Sequence, residues 1–580
     1  MGRLPQPGAD NGNWGDILND YLRQSHDEAG KLKTDSVGTE QIKAQSVTTN
    51  TLADGLITAS KIATGLISPV GLSGNYVDLT SKPVIPANAV DVGAEPAGLS
   101  TATKAQLVVK QGTRTAIAPL SAPNGLLAAV ALDHTQRTMF KLPFAAPRWR
   151  IKFRNQSNRL AIPYTTPCTI TGVWTGAPVR VAATSTTGSE LTTTTSGRWA
   201  GNCVGALTQV VTAPITVPVD GSWAYSSWVV NDSFGVNVEK VISWGITSTA
   251  TGTGIASGNS YQGVVATGAA QASNATLTSP TIGTNSIRLD VVLEYEFAES
   301  VQTILFVGDS NTLTYVPNAP AGFSANYAGA LPHESWPMIA GAMGGFAAVD
   351  IGVGSTTLGD WSVSFPSLLD KIPAAMPIDA AIISLGTNGL STGLSGFLVH
   401  FSNLNAKIRA LGIDSLWWTT ITARGYPDGA YTSGGTIITG NLLTNAAASA
   451  TTLSCSFSPA IGKLLVGTGP NMEDVTVSGV SGTGPYVVTI SSLANAHYTN
   501  ERVSVGDERT RTLINNFIRN GPDGIVGIFD FEKLLELNPG AWTNDPRYTA
   551  SDYLHFSRNA SVVKAGLVVG AGVQPLFGSN

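Results

Sequence analysis

The strongest periodicity in the chain has a step of five. Leu32, Val37, Ile42, Val47, Leu52, Ile57, Ile62 and Ile67 each stand five residues from the next, with polar or small residues between. Two steps make a ten-residue repeat, seen in SVGTEQIKAQ, SVTTNTLADG and LITASKIATG. This step fits neither the 3.6 of a helix nor the 2 of a strand. One chain with so thin an apolar line cannot bury it, so the repeat predicts stacked or intertwined copies. Residues 31–115 are therefore expected to be a fibre-like oligomerisation segment. Ahead of it, Trp14, Ile17, Leu18, Tyr21 and Leu22 recur at helical spacing and predict a helix over Asn13–Ala29, an attachment element within residues 1–30.

Residues 116–300 change to short alternating runs cut by Gly, Pro, Asn and Thr-rich turns, which predicts an all-β sandwich. In Ile287–Phe297, Leu289, Val291, Leu293, Tyr295 and Phe297 share one face. Arg288, Asp290, Glu294 and Glu296 share the other, so that face is expected to meet water. From Gln302 the rhythm changes again. The runs QTILFV, AAVDIGV, AAIISLG, SLWWTTI and GIVGIFDF alternate with helical stretches such as Leu394 to Leu411. Buried strands alternating with amphipathic helices predict a parallel sheet with crossovers over 301–580. Residues 432–505 interrupt it with strand alternation of their own and are expected to be a small β insertion in a surface loop. The fold class is thus multidomain: helix and fibre, all-β sandwich, then an α/β three-layer domain.

Composition narrows the function classes. Only 13% of the 580 residues are charged and the net charge is −5. No block of Lys and Arg supplies the attraction that dominates nucleic-acid binding, so nucleic acid is not an expected partner. No 18-residue apolar run predicts a membrane span, and the first residues show no secretory signal. Cys168, Cys203 and Cys455 lack metal-ligand spacing and read as buried thiols, with a Cys168–Cys203 bridge as the alternative. Trp149, Trp174, Trp199, Trp223 and Trp228 read as core or interface rings, with a sugar-stacking platform as the alternative.

The candidate chemistry lies in the α/β region. In ILFVGDSNT an apolar strand ends in the turn Gly308-Asp309-Ser310, a geometry that exposes a nucleophile at the C-terminal edge of a parallel sheet. A Ser hydroxyl needs a base, and the base an orienting partner. Of six histidines, His26 and His134 precede the domain, His400 lies in a predicted helix, His497 in the insertion and His333 in a loop. His555, in SDYLHFS, has Asp552 three residues earlier, close enough to hold one ring nitrogen while the other faces Ser310. Asn388, in ISLGTNGLS, and the Gly-rich turn of VDIGVGSTTLGDW are placed to donate to a developing oxyanion.

GDSNT, IGVGSTT, GTN and DYLH stand in the order of the four blocks of SGNH/GDSL hydrolases, and residues 301–431 and 506–580 resemble that family. The resemblance implies a flavodoxin-like three-layer fold, with Ser310 as nucleophile, His555 as base and Asp552 as its partner. It implies an oxyanion hole from Asn388 and a block-two backbone N–H. By spacing the family's glycine falls on Ser355, with Gly354 adjacent, so either is a candidate. No cofactor or metal is implied. Residues 74–100, with YVDLTSKPVIP and DVGAEPAGLS, and the opening PGADNGNWGDILNDYL resemble segments of bacteriophage tail fibres and tail-associated proteins. The expectation is a homotrimeric, virion-borne tail protein. It would join other tail proteins through its N-terminal region and hydrolyse an ester, an O-acetyl group, on a bacterial surface glycan. The alternatives are a receptor-binding tail protein with an inactive esterase fold, and a lipid esterase acting on the host envelope.

Overall fold

The computed structural model describes residues 4–34 and, between 113 and 570, all but 122, 124, 159–161, 180–200, 258–263, 283–287, 314–330, 365–368, 374–375, 425–429, 431–434, 469, 537–547, 550–553 and 557. Apart from Leu32, the five-residue line lies outside the described residues, as do residues 74–100 and Trp199. The chain divides into two compact units, 1–107 and 108–580.

In the first unit the helix runs Trp14–Leu22, the span of its apolar stripe, and stops short of the expected Ala29. The physical reason lies just beyond it. The Asp27 carboxylate accepts from Ala29 N at 2.9 Å and Lys31 N at 2.8 Å, and Lys33 N donates to Ser25 O at 2.8 Å. Those bonds commit residues 25–33 to a tight turn rather than another helical turn. No helix residue is buried.

The second unit opens with antiparallel sheets. One orders its strands Thr113–Ser121, Asp290–Ala298, Arg148–Arg154, Ala224–Tyr225. The other runs Thr281–Ile282, Val264–Thr267, Asp133–Phe140, Lys240–Ser248, Cys168–Gly176, Thr208–Val211. Their inner faces share one core, where Phe153 of the first meets Trp244 of the second, ring centroids 6.0 Å apart. Trp149 is fully buried in it. Cys168, Cys203 and Cys455 are buried and unpaired, so no Cys168–Cys203 bridge forms.

The Asp290–Ala298 strand corrects an expectation. Its polar face is not wet: Asp290, Glu294 and Glu296 are all buried. They lie opposite Arg154, Arg150 and Arg148 in the adjacent strand and pair with them. The cations of that strand also alternate with rings. Trp228 lies under Arg148 and Arg150, Tyr225 under Arg150 and Lys152, and Trp223 under Lys152 and Arg154. Charges that alternate along a strand look alike in sequence whether water or opposite charges face them. Here a partner strand supplies the opposite charges. The row continues into the α/β region, where Lys371 donates to Asp290 at 3.0 Å and Arg154 to Asp370 at 2.9 Å.

The third sheet is parallel. Its strands are β1 (Thr303–Gly308), β2 (Ala347–Asp350), β3 (Ala380–Ser384), β4 (Leu416–Thr419) and β5 (Gly527–Phe529), in the spatial order 2-1-3-4-5. Helices α1 (Trp336–Gly344), α2 (Gly393–Arg409), α3 (Gly506–Arg519), α4 (Phe531–Leu535) and α5 (Arg558–Gly570) accompany it. The order reverses at β1, between β2 and β3, and open sheets of this kind bind ligands beyond the carboxyl ends of the strands at such a point. Between β4 and α3, residues 439–504 form a separate six-stranded antiparallel sheet with its own core, including Leu442, Leu464, Val477 and Val503. A bridge from Leu442 to Cys455 joins its two edge strands, so the sheet closes on itself.

Candidate active site

The site forms where β1, β2 and β3 end. After β1 the chain turns sharply: Thr312 N and Leu313 N both donate to Asp309 O, and Asn311 N donates to Asp309 Oδ1 at 2.8 Å. The turn requires Gly308, because a Cβ there would lie 1.6 Å from Thr312 Oγ1. It lifts Ser310 half into solvent while Asp309 and Thr312 stay buried.

Ser310 Oγ lies 3.0 Å from His555 Nε2, across 245 positions of sequence. With the ring proton on Nδ1, the hydroxyl donates to Nε2. Asp552 lies outside the described residues.

The β3 turn is tied to the same place. Asn311 Nδ2 donates to Thr387 Oγ1 at 3.2 Å, and Thr312 Oγ1 to Ser384 O at 3.4 Å. Gly386 has φ +118°, and a Cβ there would sit 2.5 Å from Ile421 Cδ1. Half-buried Asn388 spends one amide hydrogen on Thr356 O at 3.0 Å and has a second to donate. That bond fastens the β3 turn to the β2 loop. The β2 loop runs beside β1, with Val353 N donating to Gly308 O at 3.0 Å. Gly354 is buried. Ser355 is exposed with φ +63°, the left-handed region that favours glycine. Strain of this kind persists only where the surroundings hold it.

Beneath the dyad is a buried charge that sequence reasoning missed. Lys564 of α5 is buried, its Nζ 3.5 Å from the ring centroid of Phe556, the neighbour of His555, and 5.1 Å from that of Phe531. Burial pushes its ammonium down to about 7, and the charge of Asp309 pulls against that fall. Burial in turn raises the Asp309 carboxyl, opposed by the Asn311 N–H and by the charges of His555, Lys564 and Arg424. A lone Lys in VVKAGLVV gives no sequence signal, since such a side chain commonly snorkels to water.

Three of the other histidines have other partners. His333 Nδ1 lies 3.3 Å from Met139 O, His400 Nδ1 2.7 Å from Ser362 Oγ, and His497 between Glu473 and Glu501. Among the described residues no group of His, Cys, Asp and Glu is placed to hold a metal ion, and no helix is long and apolar enough to cross a membrane.

No protein-family model matches the sequence, and no curated protein matches it. Among solved structures, the chain is similar to a family two carbohydrate esterase from Clostridium thermocellum at 10% identity, over 79% of this chain and 98% of that one, with a TM-score of 0.28. A family two carbohydrate esterase from Cellvibrio japonicus matches at 12% identity, over 53% and 80%, with a TM-score of 0.20. A lipolytic protein of the G-D-S-L family from Desulfitobacterium hafniense matches at 21% identity, over 22% and 64%, with a TM-score of 0.17. Scores this low do not establish a common fold.

Proposed function

We propose that the chain is a serine ester hydrolase acting on O-acetyl groups of a bacterial surface glycan. The observation that carries this reading is the 3.0 Å approach of Ser310 Oγ to His555 Nε2 at the carboxyl end of a parallel sheet. In the proposed reaction His555 takes the Ser310 proton as Oγ bonds to the ester carbonyl carbon. The resulting oxyanion accepts from the second amide hydrogen of Asn388 and the N–H of Ser355 or Gly354. The sugar hydroxyl leaves with the proton from His555, and an acetyl-enzyme remains. Water, giving a proton to His555, attacks that acetyl; the C–Oγ bond breaks, and Ser310 recovers its proton. Asp552 is assigned the stabilisation of the imidazolium. These steps use side chains and water alone.

A small acyl group is supported by the sequence, in which no long apolar lid accompanies the site motifs. The tail-fibre setting rests on the resemblance of residues 1–100: we infer a phage tail protein whose N-terminal region joins other tail proteins and trimerises. The test is to treat the protein with a fluorophosphonate and map the adduct by mass spectrometry, then to compare p-nitrophenyl esters from acetate to octanoate. The account expects labelling of Ser310 alone and turnover that falls steeply beyond propionate. Labelling elsewhere, or faster turnover of octanoate, contradicts it.

A further inference from the structure

A second site lies in the β-sandwich. A cleft of about 670 Å³ opens between the ends of the Cys168–Gly176 and Thr208–Val211 strands and the segment 228–240. Its floor is held rigidly. The Asp232 carboxylate accepts from Thr175 Oγ1 at 2.7 Å and from Lys240 Nζ, and Lys240 also donates to Ser233 O at 2.9 Å. The backbone of the same loop is pinned: Trp149 Nε1 donates to Asp232 O at 2.6 Å. On either side of it, Val229 bridges to Trp149 and Phe234 to Ala146. A ligand entering here has little left to order, which removes one of the usual costs of binding.

The lining chemistry narrows the ligand. Exposed Thr208, Gln209, Asn231 and Ser233 present hydroxyl and amide groups around the rim. Exposed Val230 and Val238 add apolar surface between them. Among the described lining residues the ammonium of Lys240 is committed to Asp232 and Glu239 adds a second carboxylate, which disfavours a polyanion. Both polar donors and acceptors and short apolar patches match a neutral sugar, with its hydroxyl rim and C–H faces. Trp228 meets the cleft too, but Arg148 and Arg150 lie over its ring at 4.9 and 4.7 Å from the centroid. Recognition here is by hydrogen bonding rather than by ring stacking.

We propose that this cleft binds a segment of a neutral polysaccharide chain at a place separate from Ser310. Holding the polymer there raises the concentration of its esters near the chain's own hydrolytic site. The binding does not depend on the ester reading; only its benefit to turnover does.

The test uses the full chain carrying Ser310→Ala, so that no ester is consumed, titrated calorimetrically with cellohexaose, xylohexaose and chitohexaose. At least one hexasaccharide is expected to bind, and Gln209→Ala with Asn231→Ala to weaken it at least tenfold. Both residues are exposed, and because the Gln209 amide also donates to Val211 O at 3.3 Å, the double variant is first shown to melt with the parent protein. With Ser310 restored, the same pair should leave p-nitrophenyl acetate turnover unchanged. Failure of all three sugars to bind, or unchanged affinity in the double variant, overturns the proposal. So does polyphosphate binding that the double variant abolishes. A wild-type protein that binds sugar yet cleaves no ester overturns the ester reading alone.

Discussion

At the level of single residues, the meeting of Ser310 and His555 was legible because chemistry there coincides with a break in secondary structure. Ser310 stands just after an apolar strand whose last residue must be glycine, and Asn388 follows a similar turn after β3. His555 was found by elimination among six histidines. Lys564 was not legible, because burial of a lysine depends on which rings fold over it, here Phe556 and Phe531. Its consequence is testable through pH. The folded-state value of about 7 lies below the ordinary lysine value of 10.5. Between those limits the unfolded chain binds the extra proton, so this group makes stability rise as pH rises. The melting temperature of wild type relative to Lys564→Met should therefore move in favour of wild type from pH 7 to pH 10. A constant difference across that range contradicts the buried placement.

Among the elements, hydrophobic patterning located the strands of the parallel sheet and helix α2, whose buried face carries Phe397, Phe401, Leu404 and Ile408. It failed at the second face of Asp290–Ala298, where buried charges pair across strands. It also did not show how the insertion is rooted. Arg502 is buried at its base, within 3.5 Å of Glu508 and 3.9 Å of Glu532, and donates to Thr512 Oγ1 at 2.9 Å. Excising residues 432–505 would remove this cation and its bond to Thr512 from a cluster in which Glu508 keeps Arg511 and Glu532 keeps Arg511 and Arg519. A cut higher up avoids this. Asn441 and Arg502 are register partners, so residues 442–501 can be replaced by Asn-Gly, a two-residue hairpin turn. The shortened protein should fold and keep its turnover of p-nitrophenyl acetate. Unfolding of this variant by circular dichroism would mean that the closed sheet supports the parallel one.

For the whole molecule, the five-residue line from Leu32 to Ile67 calls for partners. Its eight aliphatic side chains gain on the order of 1 kcal/mol or more each when buried. Closed symmetry gives such a line a defined oligomer, and the resemblance to tail fibres points to three copies. Light scattering should find a trimer for the full chain and a monomer for residues 108–580; a full-length monomer at micromolar concentration contradicts the fibre account. The proposed ester chemistry is indifferent to that outcome, since Ser310 and His555 meet within one chain. It stands or falls on the hydroxyl of Ser310. Hydrolysis of p-nitrophenyl acetate should be compared in wild type and Ser310→Ala of equal melting temperature. The account predicts a loss of at least a thousandfold in kcat/KM, as removal of a nucleophile causes. Turnover by Ser310→Ala within tenfold of wild type, or none by wild type, would contradict it.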